Sequence, residues 1–248
     1  MKIYSACPTC SPREGNEIRN RTCSADINDK GIYLMECPNG HDFYCIPTFA
    51  DYELLFEAGA YSLESTNYVE AVSYFTNSLE KFRYFVILVS DYYNELPLKE
   101  IEKKRKLVKL SERKIGAFYQ AYSYILKKSP LEFDNRQVQF RNAVIHEGKI
   151  PTHNETKTYG IAVMNYIKEI QVELRYNLPT DITFLAEFRF RLLEVLNEDK
   201  SLPIENTHQF QFMLDFVNSI SNHDTDFDTR FSRSKMNTQF LFSDTPHE

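Results

Sequence analysis

The chain has no tryptophan, only seven glycines among 248 residues, and no cysteine beyond position 45. Scarce glycine leaves few places for the tight left-handed turns that a many-stranded fold requires, so a sandwich or barrel is disfavoured and a helical body is expected. No run of about 18 apolar residues occurs, which excludes an ordinary membrane-spanning helix. The opening MKIYSACPTC lacks the charged start and long apolar stretch of a signal peptide, so the cytoplasm is the expected compartment. An excess of basic charge is missing too: 29 Lys and Arg stand against 35 Asp and Glu, a net of -6. Any contact with nucleic acid must therefore come from a local basic patch. Gly-rich phosphate loops, a hydrolase elbow and paired-carboxylate metal motifs are also absent.

What is present is a good supply of core aromatics, 14% of the chain, and a length that suits one sizeable core with a small appended module. Residues 1–47 hold all five cysteines, two short alternating stretches and the turn formers Pro38, Asn39 and Gly40, which predicts a small β module. From 48 to 178 the period becomes helical. Tyr68, Val72, Phe75, Leu79, Phe82, Val86, Val89 and Tyr93 step by four and three, and FRYFVILV within that helix is apolar nearly all round, as the centre of a bundle would be. Asn67 and Glu70 are a plausible capping pair at its start. Further helices are expected at about 98–128, 132–147 and 155–176, separated by Pro130, Gly148 and Pro151. The expected fold is mainly α: an up-and-down helical bundle with a small N-terminal β zinc ribbon. Residues 179–221 read as a helical extension, with Leu185, Phe188, Leu192 and Val195 on one helix and Phe210, Met213, Val217 and Ile220 on another. Residues 222–248 show no period and read as a polar tail.

An odd number of cysteines in a reducing compartment points to metal more than to disulfides. Cys7-Pro-Thr-Cys10 and, about thirty residues on, Cys37-Pro-Asn-Gly-His41 form two knuckles of the kind that meet at a tetrahedral zinc. Cys7, Cys10, Cys37 and His41 are the expected ligands of one structural zinc per chain, with Cys45 an alternative to His41 and Cys23 the leftover thiol.

A second constellation lies at Phe140-Arg141-Asn142-Ala143-Val144-Ile145-His146-Glu147-Gly148-Lys149. Asn142 and His146 stack one turn apart, while Arg141 stands about 140° round from His146. Two copies of this helix meeting across a two-fold axis would bring Arg141 and His146 together. His146 can move protons near neutral pH, Arg141 offers permanent charge to a phosphate gaining charge, and Asn142 can orient either. The plainer reading is a pair of ordinary polar residues, with His146 favoured by the helix C-terminal dipole.

Arg141-Asn142, three residues and then His146, near the end of a bundle helix, resembles the Arg-polar-x-x-x-His signature of the HEPN superfamily (higher eukaryotes and prokaryotes nucleotide-binding). The resemblance covers roughly residues 50–176. It implies a metal-independent endoribonuclease whose Arg and His come together from the two chains of a homodimer, with Arg141, Asn142 and His146 as the site. It also implies a place in phage defence or a toxin-antitoxin system, with an antitoxin or phage-derived trigger as partner. RNA would be held by the basic stretch 99–114, notably Lys103, Lys104 and Lys106, with His153 beside the motif. The alternative from another class is a non-catalytic module in which bundle and ribbon bind nucleic acid or a protein.

Overall fold

A computed structural model describes residues 2–10, 22–108, 110–179, 186–187, 190–196, 201–207, 213–214, 226–232 and 234. The protein is mainly helical, with short strands in its N-terminal region. It divides into two compact units, one of described residues up to 50 and from 187 to 207, the other of described residues 51–186 and 213–234. Among the described residues no helix is long and apolar enough to cross a membrane.

In the first unit, β1 (Lys2–Ala6) and β2 (Thr22–Asp26) pair antiparallel, with Ser5 opposite Cys23. β3 (Tyr33–Glu36) and β4 (Asp42–Pro47) form a hairpin with Met35 opposite Phe43. Tyr33 and Met35 are buried while Leu34 between them is 59% exposed, the two-residue alternation of a half-buried strand. Gly40 closes the hairpin at φ +78, a conformation that costs glycine nothing. The ribbon does not end at 47. β5 (Ile204–Thr207) runs parallel to β4, placing Ile204 opposite Tyr44. Its backbone satisfies the free edge of β4, a pairing across some 160 residues of sequence that no local period announces. The stretch 190–196 is helical, as expected, but it belongs to this unit. Arg191 fastens it: its side chain is 3% exposed, donates to the Phe49 carbonyl at 3.0 Å and pairs with Glu187 at 2.9 Å. The expected helix at 210–220 lies outside the described residues except for Met213 and Leu214, which are buried in a turn.

The second unit holds α1 (Asp51–Glu64), α2 (Tyr68–Tyr93), α3 (Leu98–Leu107), α4 (Ser111–Leu126), α5 (Asn135–His146) and α6 (His153–Asn177). α2 is the central helix and packs against α1, α4, α5 and α6. Six of its eight stripe residues, Val72 through Val89, are buried, and the two at the ends, Tyr68 and Tyr93, are not. α1 is an additional helix whose Tyr52, Phe56, Gly59 and Leu63 repeat the same four-three-four step. Gly59 of α1 and Gly160 of α6 close on the Phe75 ring, where an added Cβ would stand 2.6 and 2.8 Å from ring carbons. Glycine at both positions lets three helices meet around one aromatic side chain.

Three expectations change here. The helix expected at 98–128 is two helices, one ending at Leu107 and the next beginning at Ser111, because α3 carries a single buried residue, Ile101, too narrow a stripe to hold a long helix on a core. Asn67 caps nothing with its side chain; its ψ of 68° is far from the extended backbone that aims a cap at the helix amides. The stretch read as a polar tail contains a helical segment at 227–232 whose Phe227 is 4% exposed and lies against Phe56 and Phe75. Arg230, also buried, donates to the Met213 carbonyl at 2.7 Å. Phe227 and Phe231 are four apart, which anchors one helical face although the surrounding sequence is polar.

Candidate functional site

The first unit gathers four metal-binding side chains. Cys7 and Cys10 follow β1, and Cys37 and His41 bracket the β3–β4 turn, which is tightened by Gly40 N–H to Cys37 carbonyl at 2.8 Å and Cys37 N–H to His41 carbonyl at 3.0 Å. The three Sγ atoms and the His41 ring nitrogen all lie within 4.8 Å of one another. Cys10 and Cys37 Sγ are 3.8 Å apart, and His41 Nδ1 stands 3.8, 3.4 and 3.5 Å from Cys7, Cys10 and Cys37. This set can bind a metal ion. The Asn39 side-chain amide and the His41 backbone N–H both point at the sulfurs, at 3.2 Å from Cys10 and 3.4 Å from Cys37, the way outer groups support thiolate ligands. Burial pushes the Cys37 thiol up, but backbone N–H groups of His41 and Asn39 outweigh it and leave the thiol at about 7.

His41, not Cys45, completes the group. Cys45 sits on β4 facing Ser5, and burial pushes its thiol to about 11. Cys23 stays outside as well; burial first, and then the neighbouring Cys37, Cys7 and Cys10, raise it to about 11. Both remain neutral thiols at physiological pH.

In the second unit Arg141, Asn142 and His146 occupy the last two turns of α5. The helix ends at Gly148, whose φ of +75 allows Lys149 N–H to return to the Ala143 carbonyl at 3.0 Å. α6 begins five residues later in a capping box in which Thr152 and Glu155 satisfy each other's backbone amides. A tight, capped junction therefore fixes the end of the motif helix. His146 is exposed, and its ring makes no hydrogen bond or ion pair with the described residues. Arg141 turns the other way, towards α2: Nη1 donates to Asn142 Oδ1 at 2.8 Å and Nη2 stands 4.0 Å from Glu80 Oε1. Within one chain, Arg141 and His146 face different neighbours.

Comparison with protein-family models, with curated proteins and with solved structures finds no match. The site therefore rests on its own geometry.

The basic segment is not uniform. Lys104 is committed to Asp91, 2.5 Å away and 7% exposed, so it neutralises a buried carboxylate on α2. Lys103 pairs with Glu100 on its own helix at 2.7 Å, both well exposed, and Lys106 is exposed. His153 is exposed, stands edge-on to Tyr68, and lines a cleft of about 260 Å³ with Glu64, Thr66, Lys157, Asp228 and Phe231. Around Arg141 the sequence pattern missed Glu80, Arg83, Lys114 and Tyr159. The available signal was two charges, Glu80 and Arg83, set one turn apart in the central helix beside its apolar stripe.

Proposed function

We propose that the protein is a metal-independent endoribonuclease of the HEPN type that works as a cytoplasmic homodimer, with one structural zinc held by Cys7, Cys10, Cys37 and His41. The observation that carries the reading is the junction of α5 with α6. A capped helix end presents to solvent a His146 that has no partner among the described residues, while Arg141 on the same helix sits in a polar seam of the bundle. Pairing two such helix ends across a two-fold axis supplies both groups to one phosphodiester.

His146, neutral, takes the proton of the ribose 2′-hydroxyl, whose oxygen attacks the adjacent phosphorus. Arg141 stabilises the charge that builds on the phosphoryl oxygens. The bond from phosphorus to the 5′-oxygen breaks, and the partner copy's imidazolium protonates that oxygen. The products are a 2′,3′-cyclic phosphate and a 5′-hydroxyl, and DNA is inert. The zinc reading is supported by spacing: a tetrahedral site with arms of roughly 2.3 Å to sulfur and 2.0 Å to nitrogen has edges near 3.8 Å and 3.5 Å, and the pairs Cys10–Cys37 at 3.8 Å and Cys37–His41 at 3.5 Å match. Four protein ligands leave no open position, so this metal holds the ribbon together. Lys103 and Lys106 are exposed, as are Lys99 and Arg113, and these cations of the basic segment can meet the RNA backbone. A toxin or phage-defence effector controlled by an antitoxin or trigger fits such an activity.

Expression of wild type beside His146→Ala and Arg141→Ala, scored for growth and cellular RNA integrity, tests the reading. Cleavage of RNA by the purified protein should persist in excess EDTA over a short assay, and each variant should lose at least about 10²-fold in rate. An active His146→Ala protein, cleavage of single-stranded DNA, or a stable monomer by light scattering under assay conditions refutes it.

A further inference from the structure

Among the described residues, the polar seam behind Arg141 holds more positive charge than the carboxylate of Glu80 balances. Glu80 on α2 is shared between Lys114 of α4, at 3.0 Å, and Arg141 of α5, at 4.0 Å. All three side chains are largely withdrawn from water, at 25, 16 and 24% exposure. Arg83 lies one turn after Glu80 on the same face of α2. It forms no ion pair with the described residues; its guanidinium acts on the Tyr166 hydroxyl of α6, while its Nε is buried without a hydrogen-bond partner among the described residues. One guanidinium N–H held out of water with nothing to donate to is costly, and three clustered cations repel. The Tyr159 hydroxyl of α6, bonded to Thr76 at 2.9 Å, lies among them. Burial raises its pKa, and Thr76, Arg141 and Arg83 pull against that rise, so both guanidinium groups act on one point.

We propose that Arg83, with Lys114 and Arg141, forms a binding site for a phosphate group in this seam, and that Glu80 is the internal counter-ion holding the site until the phosphate arrives. Three cations around one carboxylate leave two positive charges unmatched, which suits a phosphodiester or phosphate and the planar donors of arginine. That the phosphate belongs to an RNA strand rests on the ribonuclease reading above; the anion chemistry does not. Arg83 is a binding residue here, placed to grip the strand beside the phosphate that reacts.

The test uses the full chain with His146→Ala, so that RNA is bound and not cut, in two arms. In the first, a short single-stranded RNA is titrated at several salt concentrations. Adding Arg83→Gln should weaken binding about tenfold and lower the salt slope by about 1, while Arg83→Lys keeps the slope and Glu80→Gln binds at least as tightly. In the second, inorganic phosphate at matched ionic strength should raise the melting temperature of the parent and not of Arg83→Gln. If Arg83→Gln does not fold, Arg83→Lys and Glu80→Gln carry the result, since loss of RNA affinity in Glu80→Gln overturns the counter-ion role. RNA affinity and slope unchanged in Arg83→Gln, or phosphate acting alike on parent and variant, overturns the site. A positive phosphate arm with no RNA binding upholds the anion site, assigns it to a small phosphate compound, and rejects the ribonuclease reading.

Discussion

Lys104→Met separates the two roles open to the basic segment. Lys104 Nζ lies 2.5 Å from Asp91, whose side chain is 7% exposed, while the Lys104 side chain is 37% exposed. Removing one partner of a fully buried pair costs about 3–5 kcal/mol. Water reaches this lysine, so the cost here falls to about 1–2 kcal/mol, or roughly 3–6 °C in melting temperature for a unit of this size. The pH dependence has a definite sign. Burial raises the Asp91 pKa from its ordinary 3.8, and Lys104 opposes the rise. In the window above 3.8 the native state therefore binds more protons than the unfolded state, and this group's contribution falls as pH rises through the native value. Taking away Lys104 lifts that value further and extends the fall upward. The variant's deficit should be small below about pH 4, where Asp91 is protonated in both proteins, and should widen towards neutrality. Urea unfolding at a series of pH values measures it. A Lys104→Met protein as stable as wild type at pH 7, or one whose deficit narrows towards neutral pH, refutes the reasoning. The consequence for RNA work is direct: charge reversal at Lys103 and Lys106 reports on the surface, whereas reversal at Lys104 places two carboxylates together in the bundle.

Purified protein should carry one zinc per chain by elemental analysis; Cys10→Ser should lose it and Cys45→Ser keep it, and loss of the metal from Cys45→Ser would put Cys45 in place of His41 in the ligand set. Phe227→Ala, at a position 4% exposed against Phe56 and Phe75, should cost about 3 kcal/mol in denaturant unfolding; a chain truncated at 222 with undiminished stability would return that segment to a polar tail. Lys149, and then the Thr152 backbone and hydroxyl, hold the Glu155 carboxyl down from 4.5 to about 2. Its contribution is complete above 4.5 and lost as pH falls towards 2, so Glu155→Gln should flatten acid unfolding over that interval. An unchanged acid limb would deny the capping box that role.

The order and centre of the bundle were legible because one helix announces itself: in α2 the apolar period runs for seven turns and then closes round the whole circumference at Phe85–Leu88. The candidate metal ligands were legible for a different reason, since two short knuckles carry their own turn residues and need only approach each other. The choice between His41 and Cys45 was not. Both follow Cys37 within eight residues, and only the register of β4, which places Cys45 opposite Tyr33, decides between them. The break between α3 and α4 escaped because seven-residue steps look continuous in sequence whether or not the intervening residues find a core. The same limit hid Lys104, whose charge looks like its neighbours' until Asp91 stands beside it.

By itself the sequence determined a mainly helical protein with a cysteine-rich β module, and it determined which residues are chemically able to hold metal or handle a phosphate. These follow from local period and residue type, which act over one or two turns of chain. The tertiary structure alone decided that β5 returns to the ribbon, that Phe227 joins the aromatic core, and that Glu80, Arg83, Lys114 and Arg141 share one seam. Each of those depends on which backbone edge, cavity or charge is left unsatisfied once the neighbouring elements have packed.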